Sequence, residues 1–448
     1  MSEINEYQAY TARNFLSIPQ LAVLSDEEKR EIEIVAEVLP FKSNSYVVNE
    51  LINWENYADD PIFRLTFPAR EMLTETHYNR MAEAMDNQLD RKEIRRVANE
   101  IRLELNPHPA GQLQMNVPRI NGRLMHGLQH KYRETVLFFP SQGQTCHAYC
   151  TFCFRWPQFS GMQGMKFASR DAGDFADYLR VHKEVTNVLF TGGDPLIMHT
   201  SLLEQYIEPL LHPDFEHIHT IRIGSKALAY WPYRFLTDKD AEELIALFEK
   251  INLAGKHLTL MAHFNHPVEL STKAVKQAIK KIRLTGTEIR TQSPVMKHIN
   301  ASASIWAKMW KMQVSLGMIP YYMFMARDTG AHHYFNISIK RAHEIYRDAY
   351  SKVSGMSKTV RGPVMSAAPG KIHVVGMSEV GGEKIFVLQF LQARNPDWVR
   401  RPFFAKYRAD AAWLTDLEPF GEEKFFWQEE YEAMSRTSVS EAIYQEDE

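Results

Sequence analysis

An α/β architecture, a barrel or partial barrel with a mainly helical region before it and an extension after it, is predicted by two features of the sequence. From about residue 134, short apolar runs alternate with segments of helical periodicity, the pattern of parallel strands joined by crossover helices. Polar stretches then follow four of these runs directly: CHAYCTFC after ETVLFF, GGDP after NVLF, GSK after TIRI and HFNHP after LTLMA. Loops at the carboxyl ends of successive parallel strands converge on one mouth, so a barrel fits better than an open sheet.

Residues 26–38, DEEKREIEIVAEV, carry apolar positions at helical spacing, and a second helical stretch covers about 78–105. Pro40, Pro61 and Pro68 fall between them as breaks. Residues 1–120 therefore read as a mainly helical region, 121–375 as the catalytic barrel and 376–448 as an extension. In the barrel, ETVLFF, NVLF, HIHTIRIG, HLTLMAHF and EIRTQSPV are the strand candidates; DAGDFADYLRVHK, DAEELIALFEK and STKAVKQAIKKIR are the helices. The Trp- and Phe-rich stretch after 375 is expected to pack outside the barrel or form a subunit contact, and the acidic tail from about Ser435 to fray.

With 45% apolar and 24% charged residues, the composition is that of an ordinary globular protein. A formal charge of -3 gives no pull toward nucleic acid or an anionic membrane. The absence of a long apolar run and of a basic-then-apolar start predicts neither spanning nor secretion, and the expected location is the cytoplasm.

Cys146, Cys150 and Cys153 are the only cysteines in 448 residues, which rules out a disulfide framework and points to one site. Three thiolates at this spacing can hold a [4Fe-4S] cluster with one iron left open to an amine and a carboxylate. Zinc with His147 or a distant histidine is a second possibility, and inert buried thiols a third. Gly192 and Gly193 of TGGDP allow backbone to approach a ligand, although a tight turn explains the motif about as well. The ligand implied for an open iron is S-adenosyl-L-methionine, whose reductive cleavage yields a carbon radical, with Tyr149, Phe152, Phe154 and Trp156 as a dry wall. Arg155 could hold an amino-acid carboxylate or serve only as a salt bridge within the loop. Lys371, after the Pro369–Gly370 bend, could bind pyridoxal phosphate covalently or lie in a surface turn. Lys131 and Arg133 offer charge for the phosphate. His263 and His266 read as hydrogen-bonding groups rather than metal ligands.

Taken in order, CHAYCTFCFR, TGGDP, IRIGSK, AHFNHPVE (262–269), PYYMF (320–324) and the PGK around Lys371 resemble the lysine 2,3-aminomutase family of radical S-adenosylmethionine enzymes, over roughly 58–375. The resemblance implies a partial (β/α)6-type radical S-adenosylmethionine barrel and a [4Fe-4S] cluster on the three cysteines. It also implies S-adenosylmethionine near Gly192, Gly193, Asp194, Ser225 and Asn265, pyridoxal 5'-phosphate on Lys371, and Arg155 on the substrate carboxylate. The implied activity is an isomerase reaction moving an α-amino group to the β-carbon, served by an electron donor such as flavodoxin or ferredoxin, in a homo-oligomer. Members specific for lysine place acidic residues where this chain has Ser366 and, one residue out of step, Arg327 or Asp328. An unpaired buried charge is costly, so the substrate is expected to be an amino acid other than lysine, with an acidic or a neutral side chain. Action on a protein-bound lysine, another pyridoxal-assisted radical conversion and a non-enzymatic iron-sulfur redox sensor are the alternatives.

Overall fold

The computed structural model describes residues 6–87, 89–106, 115–120, 122–162 and 167–443, with 437–443 as backbone only. Ahead of the barrel, β1 (Ala9–Thr11) pairs antiparallel with β2 (Lys42–Asn44), beside helices α1 (Asp26–Val38), α2 (Pro61–Thr66), α3 (Glu75–Asp86) and α4 (Arg91–Glu104). Helix α1 has the predicted bounds, and Ser25 and Glu28 form a reciprocal capping box at its start. The single helix expected over 78–105 is two. Asp90 caps α4 by accepting from the Lys92 and Glu93 amides, and a cap of that kind requires a non-helical backbone before it. Pro61 opens α2 rather than breaking a helix, because the first turn has no use for its missing N–H.

After a short hairpin, β3 (Arg119–Ile120) and β4 (Arg123–Leu124), the chain builds one sheet whose spatial order is its sequence order. The strands are β5 (Leu128–Tyr132), β6 (Thr135–Phe138), β7 (Asn187–Phe190), β8 (Thr220–Ser225), β9 (His257–His263), β10 (Glu288–Val295) and β11 (Ile319–Met325). They are followed by β12 (Arg361–Ser366), β13 (Gly370–Val380), β14 (Glu383–Ala393) and β15 (Pro402–Lys406). Pairing is parallel from β6 through β12 and antiparallel at both ends. The crossovers carry α5 (Ala172–Val181), α6 (Thr200–Ile207), α7 (Ala227–Tyr230) with α8 (Ala241–Leu253), α9 (Lys273–Leu284), α10 (Ala303–Ser315), and α11 (His332–Phe335) with α12 (Ile339–Tyr350).

Side-chain alternation explains which face is which. In β8, Ile221, Ile223 and Ser225 are buried under the helices, while Arg222 and Gly224 turn to the other face. Each fully buried Ile or Leu contributes about 1.5–3 kcal/mol, and Trp306 and Trp310 of α10 are among the largest buried groups. The barrel is partial: among the described residues no ladder joins β5 to β15. Side chains cross the gap instead, Lys131 of β5 donating to the Ala367 carbonyl in the β12–β13 turn and Arg394 to Asn116 and the Ala368 carbonyl.

The segment after 375 differs from expectation, since β13 runs through that position and β14 and β15 extend the same sheet. Gly381 and Gly382, at φ 60 and 86, make the tight hairpin between β13 and β14 that positive φ at two successive residues allows. Helix α13 (Gln428–Ile443) continues past Ser435, and residues 444–448 of the tail lie outside the described residues.

Candidate active site

The cysteine loop leaves β6 and is held by residues far away in sequence. Lys42 Nζ donates to the Cys146 carbonyl at 2.7 Å, and the His147 carbonyl accepts from Tyr7 Oη at 2.8 Å and Asn44 Nδ2 at 3.1 Å. The Tyr149 amide donates to the Lys42 carbonyl and the Thr151 amide to the Leu65 carbonyl, so β2 and α2 act as a clamp on the loop. Burial pushes the Cys146 thiol well up, and neighbouring Asp194, Cys153 and Cys150 add to it; the same burial pushes Cys150 up to about 12 and raises Cys153. Thiolates crowded in a dry loop need a cationic centre.

The three sulfurs do not all lie within 4.8 Å of one another. Among the described residues, the His, Cys, Asp and Glu ligand atoms gathered within 4.8 Å of one another belong to His199, Asp240 and Glu243, not to the cysteines or His147. Tetrahedral zinc with bonds of about 2.3 Å needs sulfurs roughly 3.8 Å apart, whereas a cluster spreads its ligands more widely. The donor set therefore fits an iron-sulfur cluster better than zinc.

The next three loops lock onto this one. The Gly193 and Asp194 amides donate to the Gly143 carbonyl, and Asp194 N also donates to Thr145 O at 2.7 Å, an approach a Cβ at Gly193 would block. Asp194 accepts at Oδ1 from the Leu196 amide and at Oδ2 from Ser225 Oγ and the Lys226 amide; burial lifts its pKa to about 6 against those bonds. Lys226 Nζ reaches Glu269 Oε1 at 2.6 Å and Asn265 Oδ1 at 2.8 Å, while Asn265 Nδ2 donates to Ser293 Oγ. Asp194, Ser225 and Asn265 thus meet at one rim but bond chiefly to each other's loops. Tyr230 Oη is the hydroxyl against the Cys150 sulfur, at 3.6 Å. Burial brings the His263 pKa down to about 3, and its ring stacks on Phe152, 5.9 Å between centroids.

Across the interior, Lys371 Nζ donates to Gln392 Oε1 at 2.8 Å and lies 5.0 Å from the Tyr322 ring and 5.6 Å from the Tyr132 ring. Burial, then Arg222 and Arg361, lowers its pKa to about 7, so half its amine is neutral near physiological pH. Lys131, Arg155, Arg327 and Arg394 are also pushed down by burial, and Lys131 further by Arg394, Arg327 and Lys371. Arg155 Nη1 and Arg327 Nε have no hydrogen-bond partner. Several cations gathered in one interior, two of them with a guanidinium nitrogen left without a partner, favour anions there.

Not every predicted residue arrives there. Arg133 sits on the exposed β5–β6 turn beside Glu134, at 3.9 Å, at the amino end of β6 and away from the mouth. Lys131, two residues earlier, turns inward. Ser366 is the last residue of β12 and pairs in register with Lys371, while Asp328 keeps both carboxylate oxygens buried without a partner. Tyr7, Lys42, Asn44, Tyr230, Lys226, Glu269, Tyr322 and Gln392 were not singled out from the sequence. Of these, Lys226, Glu269 and Tyr322 lie inside motifs, IRIGSK, AHFNHPVE and PYYMF, and so carry a local signal.

No family model matches the chain. A provisionally named L-lysine 2,3-aminomutase of Aquifex aeolicus is 34% identical over 394 residues, 88% of this chain and 91% of that protein. An L-lysine 2,3-aminomutase of Methanococcus maripaludis is 24% identical over 347 residues, 78% of this chain and 68% of the other. A glutamate 2,3-aminomutase of Clostridioides difficile is 27% identical over 256 residues, 57% and 54% respectively. With a third of its residues shared across nearly the full length of the first of these, and three cysteines at the mouth of a partial barrel, the chain belongs to the L-lysine 2,3-aminomutase family of radical S-adenosylmethionine enzymes.

Proposed function

We propose that the protein is a pyridoxal-phosphate-dependent amino-acid 2,3-aminomutase. The observation that carries this is Lys371, a buried amine with its pKa lowered to about 7, bonded to Gln392 and set between the Tyr132 and Tyr322 rings in the barrel that also carries the cysteine loop. Cys146, Cys150 and Cys153 would hold a [4Fe-4S] cluster, and the Gly192–Gly193 rim would border S-adenosylmethionine. Lys371 would carry pyridoxal phosphate, with Tyr132 and Tyr322 beside it and Lys131 and Arg394 supplying charge for the phosphate. When bound, these groups supply a carbon radical for hydrogen abstraction and a conjugated ring that spreads an unpaired electron. The relatives support the reaction class and differ among themselves in the amino acid they are named for.

The chain's own residues have separable tasks. Lys371 Nζ offers an unprotonated amine, which Gln392 orients through its side-chain oxygen. Arg155, packed 4.4 Å from the Phe139 ring, can present a guanidinium edge to the substrate carboxylate. Trp156 anchors the far end of the loop by donating to Thr329 Oγ1 at 3.1 Å, closing that side to water. Incubating reconstituted protein anaerobically with reductant, S-adenosylmethionine, pyridoxal phosphate and each of the twenty amino acids should yield a β-amino acid from at least one. Cleavage of S-adenosylmethionine with no rearranged amino acid would contradict the proposal.

Tyr230 gives a sharper expectation about the cluster. Hydrogen bonds to cluster sulfurs stabilise the reduced state, and one of about 1 kcal/mol corresponds to about 40 mV for a one-electron couple. Tyr230→Phe should therefore shift the midpoint potential to more negative values by tens of millivolts at unchanged iron content. Spectroelectrochemical titration measures this, and an unmoved potential would show that the hydroxyl only fills space.

A further inference from the structure

Arg155 and Arg327 flank one ring. The guanidinium carbon of each lies 5.3 Å from the Phe154 centroid, so the two are at most twice that distance apart. Arg327 is also 6.0 Å from the Trp413 ring, its Nε has no partner, and neither arginine has an ion-pair partner among the described residues. The two guanidinium groups share the half-exposed Phe154 ring while being largely withdrawn from water themselves, and each favours an anion. A single α-carboxylate satisfies one of them.

Asp328 does not fill this need. Its charge favours the Arg327 cation, but both of its carboxylate oxygens are buried without a hydrogen-bond partner among the described residues and it forms no ion pair with Arg327. The phosphate expected beside Lys371 is already matched by Lys131 and Arg394, which bond to the Ala367 and Ala368 carbonyls of the β12–β13 turn.

Building on the aminomutase reading above, we propose that the substrate is an amino acid with a second carboxylate on a short side chain, and that Arg327 is the residue that selects it. Arg155 would take the α-carboxylate and Arg327 the side-chain carboxylate, each through a two-point contact, with Phe154 between them as a spacer. A lysine-type ammonium would meet two cations there, which disfavours it strongly.

The test uses the full chain carrying its cluster and pyridoxal phosphate. L-glutamate, L-aspartate, L-glutamine, L-asparagine, L-alanine and L-lysine are each titrated while the visible absorbance of the bound cofactor is followed. One acidic amino acid should bind at least ~100-fold more tightly than its own amide, since each uncompensated buried charge costs several kcal/mol. Arg327→Gln should erase that preference while the cofactor absorbance before titration stays the same. Arg327→Lys, which keeps the charge but loses the fork, should restore part of it. Equal affinity for acid and amide, or preference for lysine or alanine, would overturn the proposal and leave the aminomutase reading standing. An absorbance that responds to no amino acid would overturn both.

Discussion

Lys371→Ala protein is expected to lose covalent retention of pyridoxal phosphate, and amino-acid rearrangement with it, by at least ~10³-fold, while the cluster content stays unchanged. The reason lies in the amine's surroundings. Among the described residues, Gln392 Oε1 accepts from it at 2.8 Å, and the Tyr132 and Tyr322 rings flank it. Among the described residues no second lysine meets these conditions: Lys131 donates to the Ala367 carbonyl. The pH dependence has a definite sign. Because the pKa is depressed to about 7, cofactor uptake by the apoprotein should accelerate as pH rises through 7 and level off above it. The same shift means that between about 7 and 10 the unfolded chain binds the extra proton, so the cofactor-free protein gains stability with rising pH across that window. Stopped-flow uptake from pH 6 to pH 9 and denaturant titrations over the same range measure the two effects.

Glu269→Gln should destabilise the protein by about 3–5 kcal/mol, the range found when one member of a buried ion pair is removed. Glu269 is fully buried and acts only as an acceptor: Oε1 takes Lys226 Nζ at 2.6 Å, and Oε2 takes the Asn265 and His266 amides. A glutamine must turn its NH2 toward one of these donors, leaving donor facing donor. Lys226 would keep the Asn265 Oδ1 and His263 carbonyl contacts but lose its charge partner. The denaturation midpoint should fall without a change in slope. A second effect follows, since Lys226 also packs over the Tyr230 ring at 4.3 Å and Tyr230 touches Cys150: the iron-sulfur content of the purified variant should fall as well.

Much of this architecture is legible in the chain. NVLF and EIRTQSPV match β7 and β10 residue for residue, because turn residues bound each apolar run on both sides. The alternation of strands and helices specifies parallel order, and the eight-residue cysteine window specifies one site. What escapes is what depends on distant convergence. Lys42 and Asn44 lie a hundred residues before the loop they clamp, and in sequence they look like any polar turn. Gln392 becomes a partner of Lys371 only through the β13–β14 register, which pairs those two positions. Arg133 and Lys131 look equivalent as basic residues. The β5 strand decides between them, turning Lys131 inward while Arg133 falls in the turn. The two glycines of TGGDP carry a true signal for close approach, but what approaches them is the backbone ahead of Cys146. In the segment after 375 the aromatic richness masks EVGGEK, a hairpin signal that places β14 against Lys371.

The proposed function requires one barrel to hold a [4Fe-4S] cluster on the cysteine loop and pyridoxal phosphate on Lys371. Its most direct test is the iron, sulfide and pyridoxal content of the full chain after anaerobic reconstitution and gel filtration. The expected result is about four iron and four sulfide per chain, with one pyridoxal phosphate lost in Lys371→Ala and the iron lost in Cys150→Ala. A single zinc per chain with no sulfide, or pyridoxal phosphate that survives the loss of Lys371, would contradict it.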